Sequence, residues 1–281
     1  MMLLQFRTRH LILLGIFQLA VFEKVFSFGD HNGRGTKAVS LANSFVAMAD
    51  NPWSIAYNAA GLAQVKSVEI STFFVPEQFG LQELKTVSVA AAFPLEFIVA
   101  GLELDQFGFE LYKESSLRFG VGISIDPGLM GGATVNLERV SIERYGSTQT
   151  TTIDVGLLAK IQNDLRLGFS FHNVLGSTIG PSNERLPQIF LLGARYAFLS
   201  DLVLVAEVEK DIRYSPIIKG GMEKSIFDFL SIRIGVSNNP DKFSAGIGLR
   251  YANVDFGYAG YSHNDLSWTH QVEIGFVFGE E

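Results

Sequence analysis

The sequence predicts an all-β fold: a closed transmembrane antiparallel β-barrel of about fourteen strands, with a short N-terminal helical hatch inside its lumen. Three observations predict it. Segments from Val65 onward alternate apolar and polar residues, no stretch after residue 27 is apolar and long enough to cross a membrane as a helix, and glycine crowds the polar side of the alternating segments. The chain has 281 residues, 47% of them hydrophobic, with 28 glycines, no cysteine and a formal charge of −7. A closed sheet of this length forms one domain. Missing cysteine excludes a disulfide scaffold and a thiolate metal site, and the acidic balance argues against nucleic acid as a partner.

Residues 1–27 read as a signal peptide. Arg7, Arg9 and His10 form a basic start, "LILLGIFQLAVF" is an apolar core of 12 residues, and Val25 and Ser27 flank a cleavage point. A spanning helix needs roughly 20 apolar residues, so this core is too short for one, and an uncleaved anchor is the alternative. Export from the cytoplasm follows from either.

Residues 28–64 read as the hatch. "TKAVSLANSFVAMAD" places Val39, Ala42, Val46 and Ala49 at helical spacing. "NPWSIAYNAAGLAQ" offers Asn51 as N-cap, Pro52 at the first helical position and Gly61 as the stop. Two compact Ala-rich pieces of this kind fit a barrel mouth.

Residues 65–281 read as the barrel. In "SWTHQVEIGFVF" Trp268, His270, Val272, Ile274, Phe276 and Phe278 share one face, with Thr269, Gln271, Glu273 and Gly275 opposite. "FSAGIGLRY", "LSIRIGV" and "LRFGVGISI" repeat the pattern around Arg250, Arg233 and Arg118. Dividing the segment by fourteen leaves about 15 residues per strand with its connector, enough for a spanning strand of ~10 and a turn. Short connectors (94–96, 126–132, 162–164, 199–201, 227–228, 252–253) alternate with longer ones (75–84, 175–187, 237–242, 262–267). Outer-membrane barrels put short turns toward the periplasm and longer loops outside.

A soluble β-sandwich would alternate in the same way. Its water-facing side would carry Thr, Lys and Glu, whereas here that side holds Gly120, Gly122, Gly156, Gly168, Gly193, Gly235, Gly246, Gly248, Gly257 and Gly275. Glycine in a strand marks close approach of another backbone, so a plug is expected against this face.

Alternation also aims Arg118, Lys160, Arg166, Arg195, Lys219, Arg233 and Arg250 inward, with Glu69, Asp126, Glu138, Asp154, Glu207, Glu209, Glu223, Asp255 and Glu273. The signs are mixed, and an unpaired desolvated charge is costly. A lumen network of ion pairs involving Arg118, Arg195, Arg233, Arg250, Asp255 and Glu273 is therefore expected, with Arg250 pairing Asp255 or Glu273; a row of charges guiding a substrate is the alternative. Hydrophobic cargo would leave such a lumen sideways through the wall. Outward Tyr251, Tyr258, Trp268, Phe276 and Phe278 lie near strand ends, where interfacial aromatic girdles form. His10, His31, His172, His263 and His270 are scattered without metal-ligand spacing, and neither G-x-S-x-G nor a Walker-type loop occurs. The sequence thus points to a protein that is no enzyme and holds no metal or cofactor.

"GTKAVSLANSFVAMADNPWSIAYNAAGLA" resembles the N-terminal motif of FadL-type outer-membrane transport proteins and of the related PorV/PorQ proteins. The matching positions are Gly35, Ala38, Phe45, Val46, Ala47, Ala49, Asp50, Pro52, Asn58, Ala60, Gly61, Leu62 and Ala63, with Asp50, Pro52, Asn58 and Gly61 as the hatch motif. Lys37 replaces the usual arginine, and Ala59 the proline of Asn-Pro-Ala. "LRLGFSFHNVLG", "LVLVAEVEKD" and "FSAGIGLRYANVDFGYAGYSHNDLSWTHQVEIGFVF" resemble the PorV/PorQ branch in particular. Phe278 near the terminus resembles an outer-membrane recognition signal, from which Glu280 and Glu281 depart. The resemblance implies a 14-stranded outer-membrane barrel with an N-terminal hatch, in contact with outer-membrane lipid. It would bind or pass hydrophobic small molecules or, alternatively, serve as an accessory to type IX protein secretion beside machinery proteins.

Overall fold

The computed structural model describes residues 33–263 and 266–279. The signal segment, the start of the hatch at 28–32, His10, His31, Glu280 and Glu281 lie outside the described residues.

Strands follow in chain order: β1 (Val68–Val75), β2 (Thr86–Pro94), β3 (Val99–Gly108), β4 (Tyr112–Asp126), β5 (Leu129–Ile142), β6 (Gly146–Lys160), β7 (Leu165–His172), β8 (Thr178–Ile179), β9 (Glu184–Arg185), β10 (Ile189–Leu199), β11 (Leu202–Asp211), β12 (Ile217–Phe227), β13 (Leu230–Ser237), β14 (Lys242–Tyr251), β15 (Val254–Tyr261) and β16 (Thr269–Phe278). The two-residue strands β8 and β9 pair with each other inside the loop after β7; the other fourteen close into an antiparallel barrel. Closure joins β1 to β16, from Val68 opposite Phe278 to Phe74 opposite Val272.

Alternation decides which side is which. On β4, Phe119, Val121 and Ile123 are exposed while Ser116, Arg118 and Gly120 are buried; on β16, Val272, Phe276 and Phe278 are exposed while Thr269 and Gln271 are buried. The apolar side chains therefore line the outside of a ring that has no second sheet to cover them, which a water-soluble sandwich would provide. Within the described ladder, register slips occur only at Ser124/Asp126, Ala197/Leu199 and Ser225/Phe227, each beside a turn. Every barrel strand pairs with both neighbours, and the shortest ladder for its strand length is that of β6 with β7, which covers Val155–Lys160 and leaves Gly146–Asp154 of β6 without a β7 partner.

Residues between β1 and β2, β7 and β10, β11 and β12, β13 and β14, and β15 and β16 form one edge of the barrel, its loop edge. The tighter turns after β2, β4, β6, β10, β12 and β14 form the other, the turn edge. Strands β4, β5 and β6 have 15, 14 and 15 residues, against 8 to 11 for the other barrel strands, and at the loop edge β6 runs past its last β7 partner from Asp154 to Gly146.

The N-terminal segment fills the barrel. It consists of a helical turn at Thr36–Ser40, a second at Ser54–Tyr57 and a 3-10 helix at Ala59–Gln64. The spacing of Val39, Ala42, Val46 and Ala49 does not produce one helix: Ala42, Asn43 and Ala49 adopt positive φ of 54°, 61° and 32° and break it. Leu41, Phe45 and Met48 between them are equally buried. A segment enclosed on every side has no solvent face, so apolar spacing there carries no helical information. Gly61 does not stop a helix either, since it lies within the 3-10 helix. Asn51 caps a turn, with Oδ1 accepting from the Trp53 amide at 3.0 Å, but the helix itself starts at Ser54, and Pro52 precedes it.

Candidate functional site: the plugged lumen

Glycine on the wall sets how closely the plug can sit. A Cβ on Gly132 would lie 2.3 Å from the carbonyl carbon of Ala59, and one on Gly168 would lie 2.3 Å from the carbonyl oxygen of Val46. Of the ten inward glycines noted in the sequence, only Gly248 and Gly275 have no plug atom among their nearest neighbours; those two face Arg233 and Ser71. The plug motif residues have distinct contacts. Asn58 donates from Nδ2 to the carbonyls of Val46 (2.8 Å) and Leu157 (3.0 Å), and its Oδ1 accepts from the Ala60 amide, capping the 3-10 helix. Gly61 packs on Ala49, whose carbonyl oxygen would be 2.0 Å from an added Cβ. Asp50 accepts from Lys37 Nζ at 2.8 Å, and Pro52 is buried in the turn before Ser54.

Two wall carboxylates hold the plug by its backbone. Glu207 Oε2 accepts from the amides of Phe45 and Val46, both at 2.9 Å, and its other oxygen accepts from Lys219 at 3.0 Å. Glu273 Oε2 accepts from the Thr36 amide at 2.6 Å and its hydroxyl at 2.7 Å, while Oε1 accepts from Trp53 Nε1 at 2.7 Å. Glu273 therefore binds the plug and not Arg250. Arg250 pairs with Asp255, opposite it in register, through Nε at 2.7 Å and NH2 at 2.8 Å, out at the turn edge.

The remaining charges join neighbouring strands. Arg118 lies between Glu103 (2.7 Å) and Glu138 (3.4 Å), Lys219 also reaches Glu209, and Arg233 pairs with Glu223, which Lys37 of the plug approaches at 3.7 Å. Arg34 of the plug binds Asp105 at 2.6 Å. Arg195 stands opposite Arg166, whose guanidinium donates to Gln64 of the plug. Glu103 and Asp105 were missing from the inward set read from the sequence; the period-two argument starting from Val99 would have found them. The clamps of Glu207 and Glu273 on the plug could not be found that way, because strand alternation shows direction and not partners. Burial of the Tyr57 hydroxyl, which donates to the Arg34 carbonyl at 3.0 Å, raises its pKa above the usual tyrosine value and keeps it protonated.

One polar cluster has the composition of a hydrolytic triad. His172 Nδ1 lies 3.2 Å from Asp154, and its Nε2 lies 3.4 Å from Ser170 Oγ. Ser170 is 1% exposed and donates to the Val155 carbonyl, while Asp154 also accepts from Asn136 and the Asn173 amide. A hydroxyl closed off in this way is no accessible nucleophile, and the cluster ties β5, β6 and β7 together. Among the described residues, no group of three or more His, Asp or Glu has metal-binding geometry.

An apolar seam runs through this charged lumen. At the loop edge the partly buried Phe79 packs edge-on to Tyr261 at 6.1 Å, against a buried cluster that Tyr261 forms with Val75, Phe73, Trp53, Phe45 and Tyr57. Trp53 meets Phe73 at 5.8 Å and Phe45 meets Tyr57 at 5.2 Å. The seam joins the loop edge to the centre of the plug.

No protein-family model matches the sequence, and no curated protein matches it. Solved structures do match the fold. The monoaromatic hydrocarbon channel CymD superposes with a TM-score of 0.69 at 11% identity, over 89% of this chain and 99% of that one. A deletion mutant of the monoaromatic hydrocarbon channel TodX gives 0.60 at 12% identity, over 88% and 98%. A Pseudomonas aeruginosa FadL homologue gives 0.58 at 12% identity, over 87% and 98%. At these identities the likeness is one of fold.

Proposed function

We propose that this chain is a non-catalytic outer-membrane barrel that binds hydrophobic small molecules at its loop edge and passes them inward when the plug shifts. The apolar seam from Phe79 to Trp53 carries this reading: in a lumen otherwise lined by ion pairs, it is the apolar path that a shift of the plug would open to such a solute. The fold shared with hydrocarbon channels supports it. In this reading residues 1–27 are removed on export, 28–64 act as the hatch and 65–281 span the membrane, with the turn edge toward the periplasm. Because the N-terminal segment fills the barrel, inward passage requires the hatch to yield.

The test is uptake by proteoliposomes of a small aromatic hydrocarbon and of a long-chain fatty acid. Saturable uptake that Phe79→Asp abolishes is expected; uptake no greater than that of empty vesicles, or indifferent to Phe79→Asp, defeats the proposal. A second reading, an accessory role in type IX secretion of the PorV/PorQ kind, is favoured by one observation: at the loop edge β6 continues past its last β7 partner from Asp154 to Gly146, still paired to β5, and this hairpin offers a platform to a protein. Recovery of only the free barrel from gently solubilised native membrane counts against it.

A further inference from the structure

The aromatic girdle at the loop edge has a gap. On β7 and β10 and again on β14 to β16, aromatic pairs stand where the outward apolar belt ends: Phe171 stacks on Phe190 at 4.0 Å, Phe243 meets Trp268 edge-on at 6.2 Å, and Tyr258 stacks on His270 at 6.0 Å. Across β3, β4 and β5 the same boundary is built otherwise. Leu104, Leu117 and Leu137 stand side by side in register as the last apolar row. Two residues toward the loop edge, Gln106, Ser115 and Arg139 form the next outward row, also in register. No aromatic ring fills either row. These six residues line a hollow of about 880 Å³ on the wall.

We propose that this hollow is a binding site for a single outer-leaflet lipid bearing a phosphate headgroup. The chemistry is ordered along the membrane normal. The leucine row offers an acyl chain a surface at the depth of the hydrocarbon, and the polar row lies at the depth of headgroups. Arg139 is exposed, donates to Ser147 Oγ at 3.2 Å, and forms no ion pair among the described residues. Lys113, one outward step above Ser115 on β4, is exposed beside it. Asp105 and Glu138, between the two rows, also border the hollow, but their carboxylates are on the buried side of the strands and are neutralised there by Arg34 and Arg118. A hollow with an oily lower half, an uncompensated pair of cations above and no ring to occupy it fits an anionic amphiphile better than bulk lipid. The site lies outside the lumen and is independent of what crosses it.

The experiment is native mass spectrometry of the full mature barrel in a non-ionic detergent, titrated with dilauroyl phosphatidic acid and, separately, with dilauroylglycerol. One phosphatidic acid per barrel is expected, with dilauroylglycerol binding far more weakly. Reversing both cations, Arg139→Glu with Lys113→Glu, should lower affinity by at least about tenfold, as loss of charge-assisted hydrogen bonds to phosphate implies. Ser115→Trp, which supplies the missing ring, should also displace the lipid, while Lys66→Glu at the far edge should not. Equal binding of the uncharged analogue, or binding unchanged by the double reversal in a barrel with the wild-type circular dichroism spectrum, overturns the proposal.

Discussion

Glu273, on the last strand, accepts a hydrogen bond from the indole nitrogen of Trp53 at 2.7 Å, so the strand that closes the barrel also fastens the plug. The same carboxylate takes the Thr36 amide and hydroxyl. Glu273→Ala leaves three donors without their acceptor, each costing ~1–3 kcal/mol if it stays buried. The plug should loosen before the wall does, because the β1–β16 ladder is made of backbone bonds that the substitution leaves alone. The sequence contains two tryptophans, Trp53 buried in the plug and Trp268 exposed on the outside. In a Trp268→Phe background, Glu273→Ala is expected to shift Trp53 emission to the red and raise ion conductance in planar bilayers. Unchanged emission and conductance would show that the plug does not depend on this clamp.

Close approach of the plug makes a second prediction, in which position matters more than chemistry. Gly132→Ala drives a methyl into the Ala59–Ala60 peptide, which is backbone and cannot swing away. Gly220→Ala, on the outward side of β12, meets nothing nearer than 3.7 Å. The first should cost ~1–3 kcal/mol as overpacking and the second should be neutral or slightly stabilising, since alanine restricts the unfolded chain. Urea unfolding into lipid vesicles measures both; equal midpoints for the two variants would mean that the plug does not sit as closely as described.

The fold was legible because a barrel writes itself into sequence by a simple rule. Direction alternates with every residue, and Phe119 against Arg118, or Val272 against Gln271, obeys it without regard to distant partners. Glycine gave the plug away for the same local reason, as at Gly132 and Gly168. The plug's own conformation was not legible. Buried on all sides, Val39 to Ala49 has no solvent face to impose a period, and the positive φ at Ala42 and Asn43 arises from packing that only the assembled barrel supplies. The pairing of Glu273 with Trp53, 220 residues apart, is likewise a property of closure. Arg250 with Asp255 could be anticipated because a tight turn sets them opposite each other.

That pair and Arg118 with Glu103 should differ sharply in strength. The side chains of Arg250 and Asp255 are 59% and 37% exposed, those of Arg118 and Glu103 6% and 0%. Double-mutant cycles to alanine should give a coupling of ~0.2–1 kcal/mol for the exposed pair. Removing Arg118 alone should cost ~3–5 kcal/mol, because it strands Glu103 without a counter-charge. Salt should erase the first coupling and barely alter the second. A strong, salt-resistant coupling between Arg250 and Asp255 would contradict their exposure.

Gln271 makes the last prediction, and it runs in the stabilising direction. Its side chain is 1% exposed, and neither its Nε2 nor its Oε1 finds a hydrogen-bond partner among the described residues. The hydroxyl of Ser244, also fully buried on the inner face of the wall, is in the same position. A buried amide that has left water without replacing its bonds is a net cost, and an apolar residue of similar volume removes that cost. Gln271→Met is therefore expected to raise stability by about 1–2 kcal/mol, read as a higher urea midpoint in vesicles at unchanged slope. If the polar amide instead serves passage, the stabilised barrel should transport more slowly, since a group that is costly in the closed form lowers the barrier to opening. A lower midpoint for Gln271→Met would show that the amide is satisfied in the membrane and that the closed plug contains no such store of free energy.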